Sequence, residues 1–315
     1  MTENFGLSLN SINRQNLLQL GVEQSLIEER RILELREAVD ELIMNIVNMY
    51  DVISAIDFLT LISPCVQYKE DCIHSEALWQ NLHRLRGYLS LLNDFDKLLF
   101  TDFVVEKLVS LGISVSEKDY LSQNETILNV SYVKNALSDE AYDVFCQDFP
   151  RLSSACVNKM NDVAQQLTEN KVDCAILPIE EKGGIRIRAT SELIYDYDFK
   201  INAITPTFGM DGSSETKYAL VSRSFSIPKI ERGDDLYFEI RVSLGESIAQ
   251  ILLAAEYFGY TVYRVNTVSV GHGENQDCFY TVVFKSENGS FVKLINYLIL
   301  FIASYTPVGL YKNLE

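Results

Sequence analysis

The chain has 315 residues, of which 47% are hydrophobic, and it carries a formal net charge of −17 at pH 7. This length and apolar content are enough for two or three domains with cores of their own. A chain this acidic repels phosphate backbones and anionic lipid, so a nucleic-acid or membrane-surface role is not expected.

Cysteine and histidine usage predicts a protein without metal or cofactor. The six cysteines form no C-x-x-C pair, and the three histidines lie far apart without neighbouring cysteines or acidic clusters. The first residues lack a basic start followed by an apolar core, so we expect free thiols and a cytoplasmic location. The longest apolar stretch, residues 294–304, is too short to span a bilayer.

The first part of the chain has the pattern of a helical domain. Residues 22–62 contain no proline or glycine, and their apolar positions recur at threes and fours, which predicts one long helix. A second helical stretch covers residues 75–111 and ends at Gly112, a typical C-terminal cap. We therefore assign residues 1–120 to a helical hairpin or small bundle.

Strands and helices alternate in the next part, residues 121–230. This alternation predicts a mainly parallel sheet flanked by helices. Ser138 is the expected N-cap of the first helix. The expected strands are 126–133, 172–179, 200–208 and 216–225, and the expected helices are 138–149, 160–170 and 191–198.

Residues 231–315 have the order βαββαβ, which is the ferredoxin-like pattern. Gly245 ends the first strand of this segment and Gly259 ends the helix that follows. Together with the preceding segments, this predicts a multidomain protein of the α+β or α/β class. Its exposed strand edges and apolar helices favour a homodimer through this last domain.

Several motifs resemble the prephenate dehydratase family with its C-terminal ACT regulatory domain. The text "VAQQLTENKVDCAILPIEEKGG" (163–184) is similar to the family's helix and strand ending in "PIENS..G". "ALSDEAY" (136–142) is similar to "GsyS..A", and "TKYALVS" (216–222) takes the place of the strand that begins "TRF". "VGLYK" (308–312) resembles the "LGSYP" of the last ACT strand.

This resemblance implies a set of substrate-site residues. The family is thought to use its "TRF" threonine as the general acid that protonates the departing ring hydroxyl, and Thr216 keeps that position; a β-favouring threonine is the alternative. The residues matched to the substrate loop and its surroundings would contact a small dicarboxylate. They are Ser138, Glu180, Glu181, Lys182, Gly184 and Lys217.

The same residues depart from the family pattern. Glu181 and Lys182 replace the asparagine and serine of the loop, and an added carboxylate repels a dianionic substrate. Lys217 replaces an arginine, so the planar guanidinium that could bind a carboxylate through two parallel hydrogen bonds is lost. The family's second lobe is missing, because only residues 209–215 separate Phe208 from Thr216. A solvated turn is the alternative interpretation of the loop.

The ACT resemblance implies a phenylalanine site, which also departs from the family. The family's "GAL" turn is Gly245, Glu246 and Ser247 here, and its "ESRP" strand end begins at Asn266. Gly245, Glu246 and Asn266 are therefore the candidate regulatory residues. Because Val268 replaces the arginine and Glu246 adds a carboxylate, we expect no phenylalanine binding.

A weaker similarity concerns the helical domain. "LELREAVDELI" (33–43) resembles the opening of the chorismate mutase domain that precedes the dehydratase in one branch of the family. After Arg36 the helix has no further cation until Lys69, so an inherited bundle without mutase chemistry is the better interpretation.

Three functions therefore remain open. The first is a prephenate dehydratase-like protein, related to L-phenylalanine biosynthesis, that has lost catalysis and acts as a small-molecule-binding or regulatory module. The second is an active dehydratase of unusual form, a carbon–oxygen lyase that converts prephenate to phenylpyruvate, water and carbon dioxide. The third is a non-enzymatic interaction protein.

Overall fold

The computed structural model describes residues 30, 33–42, 44–45, 54–67, 76–121, 129–149, 151–209, 215–225, 235–270 and 277–314. The chain divides into two compact units. The first contains residues up to 53 and 61–93, and the second contains residues 54–60 and everything from 94 onward.

The first predicted helix is interrupted within the described residues. Residues 30, 33–42 and 44–45 are helical (α1), but Ser54 is not, and a separate helix, α2 (Ala55–Ile62), follows it. The prediction of one uninterrupted helix over 22–62 is therefore wrong at Ser54. The Ser54 hydroxyl accepts a hydrogen bond from the backbone N–H of Asp57 at 3.1 Å, so this serine caps a new helix.

The second predicted helix is also two helices. These are α3 (Glu76–Ser90) and α4 (Asp94–Ser110). The α4 helix ends as expected, because Gly112 adopts a φ of +79° and its N–H bonds the carbonyl of Val109. A short helix, α5 (Glu117–Tyr120), follows.

The described strands of the second unit join one ten-stranded sheet in the order β2-β1-β3-β6-β5-β10-β7-β9-β8, with β4 paired to β3. The strands are β1 (Asn129–Val133), β2 (Ser153–Val157), β3 (Cys174–Glu181), β4 (Ile185–Arg186), β5 (Lys200–Phe208), β6 (Glu215–Ser222), β7 (Leu236–Ser243), β8 (Tyr260–Val270), β9 (Asp277–Ser286) and β10 (Tyr305–Asn313). The helices between them are α6 (Ala136–Asp148), α7 (Met160–Thr168), α8 (Arg188–Asp196), α9 (Ile248–Tyr257) and α10 (Phe291–Phe301).

Helices pack on both faces of the middle of this sheet. Leu177 of β3 lies in one core with α7 and α8, and its neighbour Ile176 lies in another with α6. This alternation follows from the two-residue period of a strand, which sends successive side chains to opposite faces. No helix among the described residues is long and apolar enough to cross a membrane.

The sheet is mixed, so the prediction of a mainly parallel sheet is wrong. Among the described strands, only β1–β2, β1–β3 and β5–β10 pair in parallel. The β5 and β6 strands pair antiparallel, with Phe208 opposite Glu215. A connection as short as residues 209–214 allows a hairpin but not the crossover that parallel neighbours require.

The C-terminal elements occur in the predicted order βαββαβ, and their strands lie antiparallel as β10-β7-β9-β8. On its other side β10 pairs with β5 in parallel, with Gly309 opposite Ile201. The sheet is therefore continuous between the segments 121–230 and 231–315, and a division of the chain into domains at 120 and 230 stays a prediction.

Candidate functional site

The loop that resembles the substrate loop is the tip of a hairpin. Strand β3 ends at Glu181, which pairs with Ile185 of β4 across residues 182–184. Gly183 and Gly184 have φ values of +85° and +82°, a backbone region that residues with a side chain rarely adopt. The two glycines are therefore required by the tight turn itself.

Glu180, just before this tip, is the centre of an ionic cluster. Its side chain is 2% exposed, and its Oε2 lies 2.6 Å from Nη1 of Arg264 on β8. Lys217 Nζ lies 3.3 Å from its Oε1, and Arg186 Nε lies 3.9 Å from its Oε2. The carboxylate of the loop is thus held by cations from β4, β6 and β8.

The cluster continues to a second carboxylate on β7. Arg186 Nη2 donates to Oε2 of Glu239 at 2.6 Å, and the Tyr311 hydroxyl donates to the same oxygen at 2.9 Å. All three side chains are at most 11% exposed. Arg186 therefore links two buried carboxylates, one from each half of the sheet.

Electrostatic attraction decides the ionisation of this cluster. Burial raises the pKa of Glu180, but attraction to Arg264, Arg186 and Lys217 outweighs it and lowers the pKa below its usual value of 4.5. Burial lowers the pKa of Arg186, but attraction to its negatively charged or hydroxyl-bearing neighbours outweighs burial, so the pKa is raised overall. These neighbours are Glu239, Tyr311 and Glu180. Burial and the neighbouring Glu239 raise the pKa of Tyr311.

Arg264 also contacts the backbone of the hairpin tip. Its Nη1 donates to the carbonyl oxygen of Gly184 at 3.2 Å. A Cβ atom on Gly184 would lie 3.1 Å from the same nitrogen, which is tighter than an ordinary contact. The glycine therefore lets the arginine approach the tip, and the space beside the loop is filled by a protein side chain.

Thr216, the candidate general acid, lies in the β5–β6 hairpin. Its Cα pairs with Glu181 on one side and Thr207 on the other, and its carbonyl accepts a hydrogen bond from the Thr207 hydroxyl at 2.9 Å. Because successive side chains of a strand point to opposite faces, Thr216 and Lys217 face different sides of the sheet. The structure brings Lys217 to Glu180 and leaves Thr216 on the other face.

The other predicted substrate residues lie apart from this cluster. Glu181 and Lys182 are exposed. Ser138 is buried in the first turn of α6, where Asn135 rather than Ser138 is the N-cap. The Ser138 hydroxyl lies 2.8 Å from the carbonyl of Val133 and accepts from the backbone N–H of Asn135 at 2.8 Å, so it is engaged by the backbone.

The candidate regulatory residues are also engaged within the fold. Glu246 precedes α9, and its Oε1 accepts a hydrogen bond from the backbone N–H of Ser304 at 2.9 Å. The Gly245 N–H contacts the hydroxyl of Ser243 at 3.4 Å. Asn266 lies on β8, half-buried, with its Cα opposite Thr281.

Sequence reasoning missed Arg186, Glu239, Arg264 and Tyr311. One signal was present for Glu239, because "LYFEIRVS" places a carboxylate and an arginine in an otherwise apolar strand. Charges at such positions are rarely buried unless they are paired. The sequence did not show which partner they meet, since Arg186 and Glu239 belong to distant elements.

Comparisons with known proteins give no family for this chain. No family model matches it, and no curated protein matches it. Among solved structures, it is similar to a prephenate dehydratase from Streptococcus mutans, with 14% identity, a TM-score of 0.47, and coverage of 60% of this chain and 100% of the other.

Two further solved structures have comparable similarity. One is described as GqqA, a novel type of quorum quenching acylase, with 13% identity, a TM-score of 0.43, and coverage of 58% and 94% of the two chains. The other is a prephenate dehydratase from Arthrobacter aurescens in complex with L-Phe, with 12% identity, a TM-score of 0.42, and coverage of 58% and 90%.

Proposed function

We propose that this chain is a prephenate dehydratase-like protein that has lost catalysis and acts as a small-molecule-binding or regulatory module related to L-phenylalanine biosynthesis. The observation that carries the proposal is the hairpin between β5 and β6, in which Phe208 pairs directly with Glu215. A second lobe would have to be inserted at this point. Without a second wall, the segment that carries Thr216 has nothing to exclude water from a substrate or to orient it.

The ionic cluster supports the same proposal. A dianionic substrate needs cations whose charge is available to it. Here Lys217, Arg186 and Arg264 surround the buried carboxylate of Glu180, and Arg186 also binds Glu239. Any anion at the loop would have to displace a protein carboxylate that is already desolvated and paired, which costs several kcal/mol.

The test is the formation of phenylpyruvate from prephenate by the full-length chain. We expect no turnover above the uncatalysed background. Turnover of about 1 per second or more, typical of enzymes, would overturn the proposal if Thr216→Val abolished it and Thr216→Ser, which keeps the hydroxyl, restored it. That result would establish the alternative, an active dehydratase of unusual form.

We further propose a homodimer that forms through the C-terminal strands. The β10 edge is covered by β5, whereas β8 is the outermost of the described strands on its side of the sheet. The β8 strand exposes apolar side chains, including Val262 at 43%, Tyr263 at 48% and Val265 at 40%. An edge of this kind favours extension of the sheet by a second copy.

A further inference from the structure

A solvent-open hollow lies between α8 and the face of β7 and β9. About 360 Å³ of empty space lies in and above it, and part of this space is open solvent. Two arginines, Arg186 and Arg241, line it together with the hydroxyls of Ser191 and Thr281. The carboxylate of Glu239 lines it too, but Arg186 and Tyr311 already bind that carboxylate. Apolar side chains, among them Ile194 and Phe279, form most of the remaining lining. A mostly apolar hollow with a few convergent polar groups is the usual form of a small-molecule site.

Arg241 differs from the other cations nearby. Arg186, Lys217 and Arg264 each lie within ion-pair distance of Glu180. Within the part of the chain that the structure describes, no carboxylate lies at such a distance from Arg241. Asp198, which attracts it from farther away, is bound to Lys200 at 2.6 Å. Arg241 is thus a half-buried cation without a protein counter-ion.

Aromatic rings hold the Arg241 guanidinium in place. Its central carbon lies 4.3 Å from the ring centre of Tyr195 and 5.2 Å from that of Phe279. These two rings stack on each other with an interplanar angle of 5°, and the Tyr195 hydroxyl donates to Asp277 at 2.7 Å. A guanidinium held over aromatic rings keeps N–H groups at its edge for a carboxylate.

Thr281 supplies a second polar group on the same face. It pairs directly with Arg241 across β7 and β9, so the two side chains are neighbours on one side of the sheet. Thr281 is 7% exposed, and its hydroxyl has no hydrogen-bond partner among the described residues. Ser191 is different, because its hydroxyl donates to the carbonyl of Ile187 at 3.1 Å and retains only acceptor capacity.

We propose that this hollow binds a small organic carboxylate. Its carboxylate pairs with the edge of Arg241 and accepts a hydrogen bond from Thr281, and its apolar body packs against Ile194, Val268 and Phe279. The inference rests on the proposed binding function, and it specifies the class of ligand and the part of the fold that binds it. Free inorganic anions fit less well, because most of the lining is apolar and would gain nothing from them.

The test uses benzoate and its neutral, equally shaped counterpart benzamide, titrated into the full-length protein and followed by ligand-observed NMR. We expect benzoate to bind with a dissociation constant of about 1 mM, as befits so small a ligand, and benzamide to bind at least about tenfold more weakly. Isobutyrate and isobutyramide repeat the comparison with a smaller body. Equal binding of acid and amide in both pairs, or no binding of either acid at 20 mM, overturns the proposal.

Variants locate the site. Arg241→Gln should weaken benzoate binding by about tenfold or more, while Arg151→Gln, a matched change at an exposed arginine, should leave it unchanged. Val268→Phe fills the hollow without removing a charge, so it should abolish binding even if Arg241→Gln proves unstable. Unchanged binding in both hollow variants refutes the site.

The dehydratase assay separates this inference from the proposed function. If benzoate does not bind and prephenate is not turned over, the hollow is not a site and the proposed loss of catalysis still stands. If prephenate is turned over and benzoate binds at the hollow, the loss of catalysis is refuted and the site stands.

Discussion

Arg264 of β8 lies 2.6 Å from Glu180 at the end of β3, and the same guanidinium donates to the carbonyl of Gly184 in the adjacent hairpin tip. A cation from the C-terminal strands therefore fixes both the carboxylate and the backbone of the loop that the sequence suggested as a substrate site. Through this contact the loop connects the C-terminal strands to β3, so changes to it should alter the stability of the fold.

Neutralising Glu180 should destabilise the fold strongly. Glu180→Gln leaves Arg264 and Lys217 without their buried counter-ion, and breaking such a pair costs about 3–5 kcal/mol. The neighbouring Glu181 is exposed, so Glu181→Gln is the matched control and should cost at most about 0.5 kcal/mol. Urea unfolding followed by circular dichroism measures both.

Trp79 provides an internal reference for this experiment. It is the single tryptophan of the chain and lies in α3, within the first compact unit. Its fluorescence therefore reports locally on a different unit from the one that contains Glu180. Equal midpoints by circular dichroism for Glu180→Gln and Glu181→Gln would contradict the buried ionic cluster.

Acid should weaken the same cluster. Because the folded state lowers the pKa of Glu180 below 4.5, its contribution to stability is fully present above about 4.5 and is lost as the pH falls through the lower folded value. The unfolding free energy of the natural chain should therefore fall more steeply than that of Glu180→Gln as the pH drops below about 4.5. Parallel pH profiles for the two proteins would argue against this linkage.

The two glycines of the hairpin tip should respond differently to alanine. Both have positive φ, so each substitution carries a backbone cost of about 1–2 kcal/mol. A Cβ at Gly183 meets nothing within 4 Å, whereas one at Gly184 lies 3.1 Å from Arg264. We expect Gly184→Ala to cost about 1–3 kcal/mol more than Gly183→Ala, because it displaces a half-buried cation from its buried counter-ion.

Measuring this difference needs both the single and the double variants. Thermal unfolding of Gly183→Ala, Gly184→Ala, Arg264→Met and the double variant Gly184→Ala/Arg264→Met gives the coupling between the glycine and the arginine. The extra cost of Gly184→Ala should largely vanish once Arg264 is absent. If it persists unchanged, the cost comes from the backbone alone.

L-Phenylalanine should not bind at the turn before α9. The Glu246 carboxylate is fixed there by the backbone N–H of Ser304 and would repel the carboxylate of the amino acid. We expect no shift in melting temperature with millimolar L-phenylalanine. A calorimetric dissociation constant below about 100 μM, or roughly −5.5 kcal/mol, would restore a feedback-sensor role.

The proposed dimer should depend on β8. Val265→Lys places a charge on the exposed edge strand, a change that opposes edge-to-edge pairing. We expect light scattering to give a dimer for the natural chain at tens of micromolar and a monomer for the variant. Val109→Lys, at a 57% exposed position of α4, is the control and should remain dimeric. A natural chain that is monomeric under these conditions would refute the dimer.

Local signals predicted local structure well. Gly245 and Gly259 mark the ends of elements in the C-terminal segment, and its strands and helices fall where their periodicity places them. Ser54 was overlooked as a helix start because the apolar repeat of the sequence continues through it, whereas its hydroxyl caps a new helix by accepting from the N–H of Asp57. The strand β2 was missed because "SSACV" is a largely exposed edge strand without a clear alternation.

The candidate site was less predictable because its contacts are long-range. A motif comparison indicated Glu180 and Lys217, which are close in the sheet because β3 and β6 pair. Arg264 and Glu239 reach the same cluster only because β10 joins the two halves of the sheet, and no periodicity in a strand shows which distant strand it will pair with.

The parallel pairing of β5 with β10 also affects the order in which the sheet can fold. The β5 strand ends at Phe208, but the strand that covers its second edge begins only at Tyr305. Until the chain between them is organised, the edge of β5 stays unpaired. Contacts between such distant segments slow folding, because the entropy of closing the loop is lost before the strands gain anything from pairing. The β10 strand therefore completes the pairing of β5, and a chain that has been synthesised only as far as β9 would present the edge of β5 to other molecules.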